Sequence, residues 1–240
     1  MPEYLLFVDT ETTGLPARWD RPYAEEWAWP CIAQVAWVVF TAAGELVKAD
    51  QDYLQIPAGR MPAAAIAVHG LTPEFLQAHG QEPAAVLRRL LQDLTTYRPR
   101  VVGHFLPLDF HVLGAAFARA GLANALPTLP QFCTMQLTRL PLPGVTAPPR
   151  RPLRLHQLHE RLFGQPLERE HDAHTDAVAT ARCFFELQRR GLLPGSVLAG
   201  QARLALPGTR PPLRPWWRRM ALLATATALF CYLLYRLTSG

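Results

Sequence analysis

The sequence predicts an α/β fold of the α+β kind, a mixed sheet flanked by helices, and three observations carry that prediction. The elements read in the order βββ, α, β, α, β, α along the chain. The first apolar run, Tyr4 to Val8, is too short for a helix and rich in aromatic and branched residues, which makes it a buried strand. Pro83 to Tyr97 carries Val86, Leu87, Leu90, Leu91 and Leu94, the spacing of an amphipathic helix. With 240 residues, 50% of them hydrophobic, the chain has room for one domain with a substantial core plus an appendage.

After the opening strand, residues 18–30 hold three tryptophans and a tyrosine without periodicity and read as a loop. Ile32 to Phe40 is a second strand and Glu45 to Ile56 a third, joined at Ala42-Ala43-Gly44 as a hairpin. With the first strand they predict an antiparallel meander whose active edge is that first strand. Pro62 to Val68 is a short Ala-rich helix, and Thr72-Pro73-Glu74 starts another. Pro99 closes the long helix; Val101 to His104 is a short strand, Leu108 to Ala120 a helix stopped by Gly121, and Phe132 to Thr134 a last strand. The proline-rich stretch Pro141 to Pro152 is a loop or flap. Leu153 to Phe163 and Thr175 to Arg190 are helical, the latter with an apolar face of Ala177, Val178, Ala181, Phe184, Phe185 and Leu187.

Charge is divided unevenly. Residues 1–190 hold 18 Lys+Arg against 19 Asp+Glu, a net of −1, whereas residues 191–240 hold six arginines and no acid. The overall +5 is therefore no argument that the globular part is a strongly basic nucleic-acid binder. Lys48 is the only lysine, and its surroundings fit neither a P-loop nor a Schiff base. Cys31, Cys133, Cys183 and Cys231 are widely spaced and form no C-x-x-C pair, which points to reduced core residues and away from a disulfide frame or zinc site. Met-Pro-Glu offers no positive n-region, so no signal peptide is expected.

Residues 191–215 are rich in Pro, Gly, Leu and Arg and read as a linker. Met220 to Leu237 is almost wholly apolar, near the lower end of the roughly 17 to 25 residues that span a bilayer. Trp216-Trp217, Tyr232 and Tyr235 supply interfacial aromatics, and Arg214, Arg218 and Arg219 lie upstream. Residues 216–240 are expected to be a single-pass C-terminal transmembrane anchor with the domain on the cytoplasmic face; an apolar helix packed on the domain or a partner is the alternative.

The first strand runs into Asp9-Thr10-Glu11-Thr12-Thr13-Gly14. Side chains alternate along a strand, so Asp9 and Glu11 face the same way with Cα atoms about 6.5 Å apart. Two like charges that close suit a hard divalent cation between them; an exposed acidic turn is the other reading. Asp109 begins a helix after the Val101 strand, and His171 and Asp176 stand at the start of the last helix. Asp in a helix's first turn is commonly a cap or dipole partner, which is the simpler reading of Asp109 or Asp172 taken alone. His174 reads as a helix-surface histidine.

The order and spacing of these residues resemble the DEDDh family of 3′-to-5′ exonucleases, which includes the DNA polymerase III proofreading subunit, ribonuclease T and the TREX enzymes. D-x-E-T-T-G is matched without gaps. The second motif, G-H-N followed by an Asp, is present as Gly103-His104 and Asp109, with Phe105 where asparagine is common. H-x-A-x-x-D-A is matched by His171, Ala173, Asp176 and Ala177, and Val68-His69-Gly70-Leu71-Thr72 is a weaker echo. The resemblance covers about residues 4 to 190 and makes 1–190 the exonuclease domain.

The resemblance implies an RNase H-like fold with a central five-stranded mixed sheet and a two-metal site. Asp9, Glu11, Asp109 and Asp176 would hold two Mg²⁺ or Mn²⁺ ions, a chemistry that suits four carboxylates and needs no thiolate. His171 would take the proton from water, a task that imidazole performs near neutral pH. Thr12, Thr13, Gly14 and Leu15 would meet the 3′-terminal nucleotide through backbone amides and an apolar wedge, with His104 beside them. Trp19, Tyr23, Trp27 and Trp29 either stack on bases or pack their loop onto the domain. Arg139, Arg150, Arg151 and Arg154 either meet phosphates or belong to a solvated loop. The expected activity is release of nucleoside monophosphates from DNA 3′ ends, single strands above all. Trimming of RNA by the same fold and a non-catalytic nucleic-acid-binding module held at the membrane are the rivals. A homodimer or a polymerase partner is compatible with the sequence.

Overall fold

The computed structural model describes residues 3–138 and 151–208. Its described residues hold a five-stranded sheet in the order β3-β2-β1-β4-β5. Strand β1 is Tyr4–Thr12, β2 Ile32–Thr41, β3 Leu46–Tyr53, β4 Arg100–Gly103 and β5 Gln131–Cys133. The meander β1-β2-β3 is antiparallel as expected. β1 is not the edge of the sheet that the meander alone suggested: β4 pairs with its other side in parallel, and β5 continues in parallel beyond β4. A parallel neighbour needs a crossover, and the helices between β3 and β4 supply it. The central position buries Leu5, Leu6, Phe7 and Val8, so the strand that carries the D-x-E motif is held from both sides.

Helices α1 (Ala63–His69), α2 (Pro73–His79), α3 (Pro83–Tyr97), α4 (Leu106–Arg119), α5 (Thr134–Leu137), α6 (Leu155–Phe163), α7 (Ala173–Arg189) and α8 (Gly195–Gly200) complete the fold. Strand alternation divides the core in two. Leu6 and Val8 meet α3 and α4 on one face, through Leu87, Leu90 and Phe110 among others. Leu5 and Phe7 meet α6 and α7 on the other, through Leu158, Ala177 and Phe184. The start signal read at Thr72 operates as a cap, its hydroxyl accepting the Phe75 amide before α2, and the structure adds a second cap before α3, where the Glu82 carboxylate accepts the Ala84 and Ala85 amides. α4 begins at Leu106, two residues before the expected Leu108, because Phe105 takes up a left-handed conformation (φ 69°) and turns the chain at the end of β4.

Packing continues past Arg190, into the stretch read as linker. Leu193 and Leu198 are buried against the α6–α7 face of the core. β5 is an edge strand with main-chain groups left over, and the Gln201 side chain satisfies two of them: its Oε1 accepts the Cys133 amide at 2.7 Å and its Nε2 donates to the Cys133 carbonyl at 2.9 Å. The Leu204 amide donates to Gln131 Oε1 at 3.0 Å. A Pro/Gly-rich composition hid this docking.

Among the described residues no helix is long and apolar enough to cross a membrane; the expected spanning segment, Met220 to Leu237, lies outside them. So does most of the proline-rich stretch, with Arg139 and Arg150. Cys31, Cys133 and Cys183 are free thiols, and Cys133 and Cys183 are buried.

Lys48 serves the fold. Its Nζ lies 2.8 Å and 3.0 Å from the two carboxylate oxygens of Asp93 on α3, and Trp37 Nε1, fully buried, donates to the same carboxylate at 2.7 Å. Asp93→Ala would strand an indole N–H in the core and leave Lys48 with Asp50 alone. The expected loss of unfolding free energy is about 2–4 kcal/mol. Asp50→Ala, at a more exposed carboxylate, is expected to cost less than about 1 kcal/mol. Urea denaturation of the two variants checks the difference.

Candidate active site

Asp9 and Glu11 leave β1 on the face that meets α7, following Leu5 and Phe7 in the alternation. Thr10 points to the opposite face, toward α4, where its hydroxyl donates to Asp109 Oδ1 at 2.8 Å in a buried contact. One short stretch of strand therefore presents two carboxylates and fixes a third. α7 supplies the fourth, Asp176, in its first turn.

Gln34 fixes the N-terminus of α7. It lies opposite Glu11 in the β1–β2 ladder and is 2% exposed. Its Nε2 donates to Asp172 Oδ2 and its Oε1 accepts the Ala173 amide, both at 3.2 Å. Asp172 is the helix cap, as its position suggested: Oδ1 accepts the Thr175 amide at 2.9 Å and the Thr175 hydroxyl at 3.0 Å. Burial pushes the Asp172 carboxyl up, but these hydrogen bonds outweigh it and hold the group below its usual range.

Asp9, Glu11 and Asp176 line a cleft of about 450 Å³ with His171, His69 and Leu15, and Asp109 is buried behind Thr10. One ligand atom from each of Glu11, His171 and Asp176 lies within 4.8 Å of the other two. The electrostatics are one-sided. Burial first, then the charges of Asp176, Asp109 and Asp172, push Glu11 up to about 8. Asp9 is raised well above its ordinary range by burial and by Asp109, Asp176 and Glu11 in turn. Burial raises Asp109 to about 7 against the bond from Thr10, and Asp176 to about 6 against an amide bond from His171. Every charge acting on Asp9 and Glu11 is negative, and Asp176 Oδ1 is buried without a hydrogen-bond partner. Four oxygen-donor groups, mutually repelling and one with an unused buried oxygen, fit a hard divalent cation.

His171 lies in a strained turn: its φ is 64° and that of Arg169 is 55°, in a region that costs a non-glycine residue about 1–3 kcal/mol. The His171 amide donates to Asp176 Oδ2 at 3.3 Å, which ties the loop to the metal-type ligand and leaves the exposed imidazole at the cleft. His174, one turn on, lines a groove beside α6 with Arg182 and stands outside the carboxylate cleft.

Thr12 and Thr13 spend their hydroxyls on the turn. Thr12 Oγ1 donates to the Gly14 carbonyl at 2.7 Å, and Thr13 exchanges hydrogen bonds with Cys31 through both its amide and its hydroxyl. Gly14 has φ 140°, a conformation that only glycine adopts readily, and Leu15 then projects into solvent, 69% exposed at the mouth of the cleft.

His104 lines the cleft, but both its ring nitrogens are engaged by the scaffold. Nε2 must donate to the Leu153 carbonyl, 3.0 Å away, so Nδ1 accepts from the Thr134 hydroxyl at 2.9 Å. Burial pushes the imidazole down to about 4, which keeps it neutral in this role. It ties the chain just after the proline-rich stretch to the end of β4.

The aromatic loop 18–30 divides between its two readings. Tyr23 and Trp29 pack it down: Trp29 stacks on His111 of α4 at 5.6 Å, and the Tyr23 hydroxyl pairs with His111 Nδ1 at 3.0 Å. Gly114 permits this approach, since a Cβ there would collide with the Tyr23 ring. Arg119 fixes the loop's end through the Trp29 and Pro30 carbonyls. Trp19 and Trp27 remain exposed. The cleft residue that the motifs understated is His69 at the end of α1. Its Nδ1 accepts the Leu71 amide at 3.0 Å, and burial, together with the nearby His171 charge, holds its pKa low against the Thr12 carbonyl. The V-H-G-L-T echo was the signal for it.

A mixed sheet whose central strand delivers two acids to a cleft, with one more from α7 and one from α4 behind it, is a carboxylate-centred site of the kind that holds divalent cations. The profile of the exonuclease family named for RNase T matches residues 6–184, and the chain belongs to that family. Among solved structures, the zinc-bound complex of E. coli exonuclease I with single-stranded DNA is similar with a TM-score of 0.65 at 22% identity, covering 78% of this chain and 41% of the other. The same enzyme with a dT13 oligonucleotide gives 0.64 at 21% identity over the same shares. A product-bound exonuclease I gives 0.62 at 20%, covering 79% and 44%. The chain thus spans about two fifths of the length of these proteins, and the likeness is one of fold. No curated protein sequence matches the chain.

The carboxylate cluster sets a pH dependence. Glu11 rises from 4.5 to about 8, Asp109 from 3.8 to about 7 and Asp176 from 3.8 to about 6 on folding. Between these limits the folded chain binds more protons than the unfolded one, so stability is full at acid pH and falls as pH rises. Asp172 and Glu186, which are held low, titrate below this window, whereas His104 and His111, lowered from 6.5 to about 4, oppose the carboxylates up to about pH 6.5 and leave them unopposed above it. With EDTA present, Tm is expected to fall most clearly between about pH 6.5 and about pH 8, and added Mn²⁺ to restore more of it at the alkaline end. Differential scanning fluorimetry checks both; a cation effect independent of pH would contradict the cluster's role.

Proposed function

We propose that this chain is a divalent-cation-dependent 3′-to-5′ exonuclease that releases nucleoside monophosphates from the 3′ ends of single-stranded DNA. The observation that carries the reading is the set of four carboxylates: Asp9, Glu11 and Asp176 line one cleft, Asp109 is held behind it by Thr10, and the charges that raise Asp9 and Glu11 are all acidic. Family membership supports phosphodiester hydrolysis, and the oligonucleotide-bound exonuclease I structures support a single DNA strand as substrate.

Asp9, Glu11, Asp109 and Asp176 would hold Mg²⁺ or Mn²⁺ through oxygen. When bound, such cations supply activation of a water and neutralisation of charge on the departing 3′-oxygen. Asp109 keeps its carboxylate oriented by the Thr10 hydroxyl, and Asp176 its own by the His171 amide. A ring nitrogen of His171, exposed and within 4.8 Å of ligand atoms on Glu11 and Asp176, takes the proton of the attacking water. Leu15 wedges against the terminal base, at the rim formed by Thr12, Thr13 and Gly14. His104 acts on this site by holding Leu153 and the end of β4 in place. The apolar segment 220–237 is proposed as a membrane anchor that leaves the domain on the cytoplasmic side.

Incubation of the full chain with 5′-labelled DNA and RNA oligonucleotides, with and without Mg²⁺, tests the enzyme reading. A ladder of shortened products that needs the cation and is stronger on DNA is expected; no ladder on either polymer would sink it. Asp9→Ala is expected to abolish cleavage, and His171→Ala to lower kcat by about 10²–10⁴-fold with metal binding kept. For the tail, carbonate extraction of cell membranes is expected to leave the chain in the pellet; release into the supernatant would contradict a spanning anchor.

A further inference from the structure

Phe105 is a bulky aromatic residue at a backbone position that suits Gly or Asn. Its φ is 69°, its side chain makes no capping hydrogen bond to α4, and the residue is 37% exposed. Neither core packing nor helix capping accounts for it, since the ring is not buried and Asn would cap this helix better. What the position does achieve is to hold an exposed ring on a turn whose flanking residues line the cleft. Phe105 directly follows His104, which lines the cleft, and its carbonyl accepts the amide of Leu108, which lines it one turn further on.

A second exposed ring meets it there. Trp19, 40% exposed, reaches over from the aromatic loop to lie 6.2 Å from Phe105 at an interplanar angle of 62°. Behind it Trp19 rests edge-on against His111 at 5.8 Å, and His111 is itself locked by Tyr23 and Trp29. The loop is thus anchored on its buried side and presents Trp19 on its open side.

We propose that Phe105 and Trp19 form a stacking platform for a nucleobase of the substrate strand, upstream of the 3′-terminal nucleotide. The proposal rests on the exonuclease reading of the cleft. A chain whose terminal phosphodiester is held by the carboxylates must continue past the cleft rim, and what it offers there is the flat face of the next bases. Two exposed aromatic rings next to the cleft-lining His104 match that chemistry, and every base has such a face, so the platform is indifferent to sequence. It replaces the polar residue found at position 105 in the exonucleases the sequence resembles with a contact that adds affinity for the strand.

Fluorescence anisotropy of a labelled dT8 oligonucleotide with the full chain in EDTA measures binding without turnover. Phe105→Ala and Trp19→Ala are each expected to weaken binding about 5- to 20-fold, and Phe105→Trp to retain it. With Mn²⁺ added, the same factor should appear in KM rather than in kcat. Phe105→Asn separates this from a folding effect: Asn relieves the left-handed backbone, so Tm is expected to hold or rise while dT8 affinity falls as it does for Phe105→Ala. Variants that bind within twofold of the parent, when the parent binds and cuts, would overturn the platform alone. A parent chain that neither binds nor cuts overturns the exonuclease reading and the platform with it.

Discussion

Mutual repulsion among four carboxylates is the constraint that the rest of the structure answers to. Asp9, Glu11, Asp109 and Asp176 act on one another across a cleft in which only acids press on Asp9 and Glu11. Left to themselves such groups would separate or protonate; burial first, and then the charges of Asp176, Asp109 and Asp172, raise Glu11 to about 8 in the folded frame. Each is held by a rigid element. Asp9 and Glu11 belong to a strand paired antiparallel with β2 along nearly its whole length and in parallel with β4 on its other side. Asp109 is tied to that strand by Thr10, and Asp176 through the α7 cap and Gln34 to the neighbouring strand. The arrangement stores unfavourable charge that a cation of two positive charges relieves.

Function follows from what holds each group as much as from the groups. Thr10 and Gln34 do no chemistry, yet they set where two of the four carboxylates stand. His104 belongs with them: a neutral ring with both nitrogens spoken for is a strut between β4 and the chain after the proline-rich stretch. The Thr12–Gly14 turn uses its hydroxyls internally and thereby frees Leu15. The sole lysine, charged and partly buried, is absorbed by Asp93 and Trp37, far in role from any phosphate-binding lysine.

The acids were legible in the sequence because strand alternation and motif spacing both bear on them: Asp9 and Glu11 share a face by period alone, and Asp109, His171 and Asp176 stand at helix starts. Strand and helix identities were legible for the same reason, since Pro83 and Tyr97 bound α3 as their chemistry suggests. Pairing was harder. Nothing local in Tyr4–Thr12 says that a second, parallel neighbour arrives from residue 100, so the central place of β1 did not emerge from the meander. Gln34 was hidden inside an apolar strand, and its partners lie 138 and 139 positions away. Residues 191–204 looked like linker because they open a stretch of mixed Pro, Gly, Leu and Arg without clear periodicity, while Leu193, Leu198 and Gln201, which dock them, are sparse signals. Phe105 was visible as a departure from the motif, but its left-handed backbone and its contact with Trp19 are properties of the fold.

Calorimetric titration of Mn²⁺ into the full chain near neutral pH tests the central claim most directly. The account predicts saturable binding that is lost or weakened at least about tenfold by Asp9→Asn and by Asp176→Asn, both of which keep side-chain size while removing charge. Absence of binding to the parent chain, or binding that neither substitution alters, would contradict it.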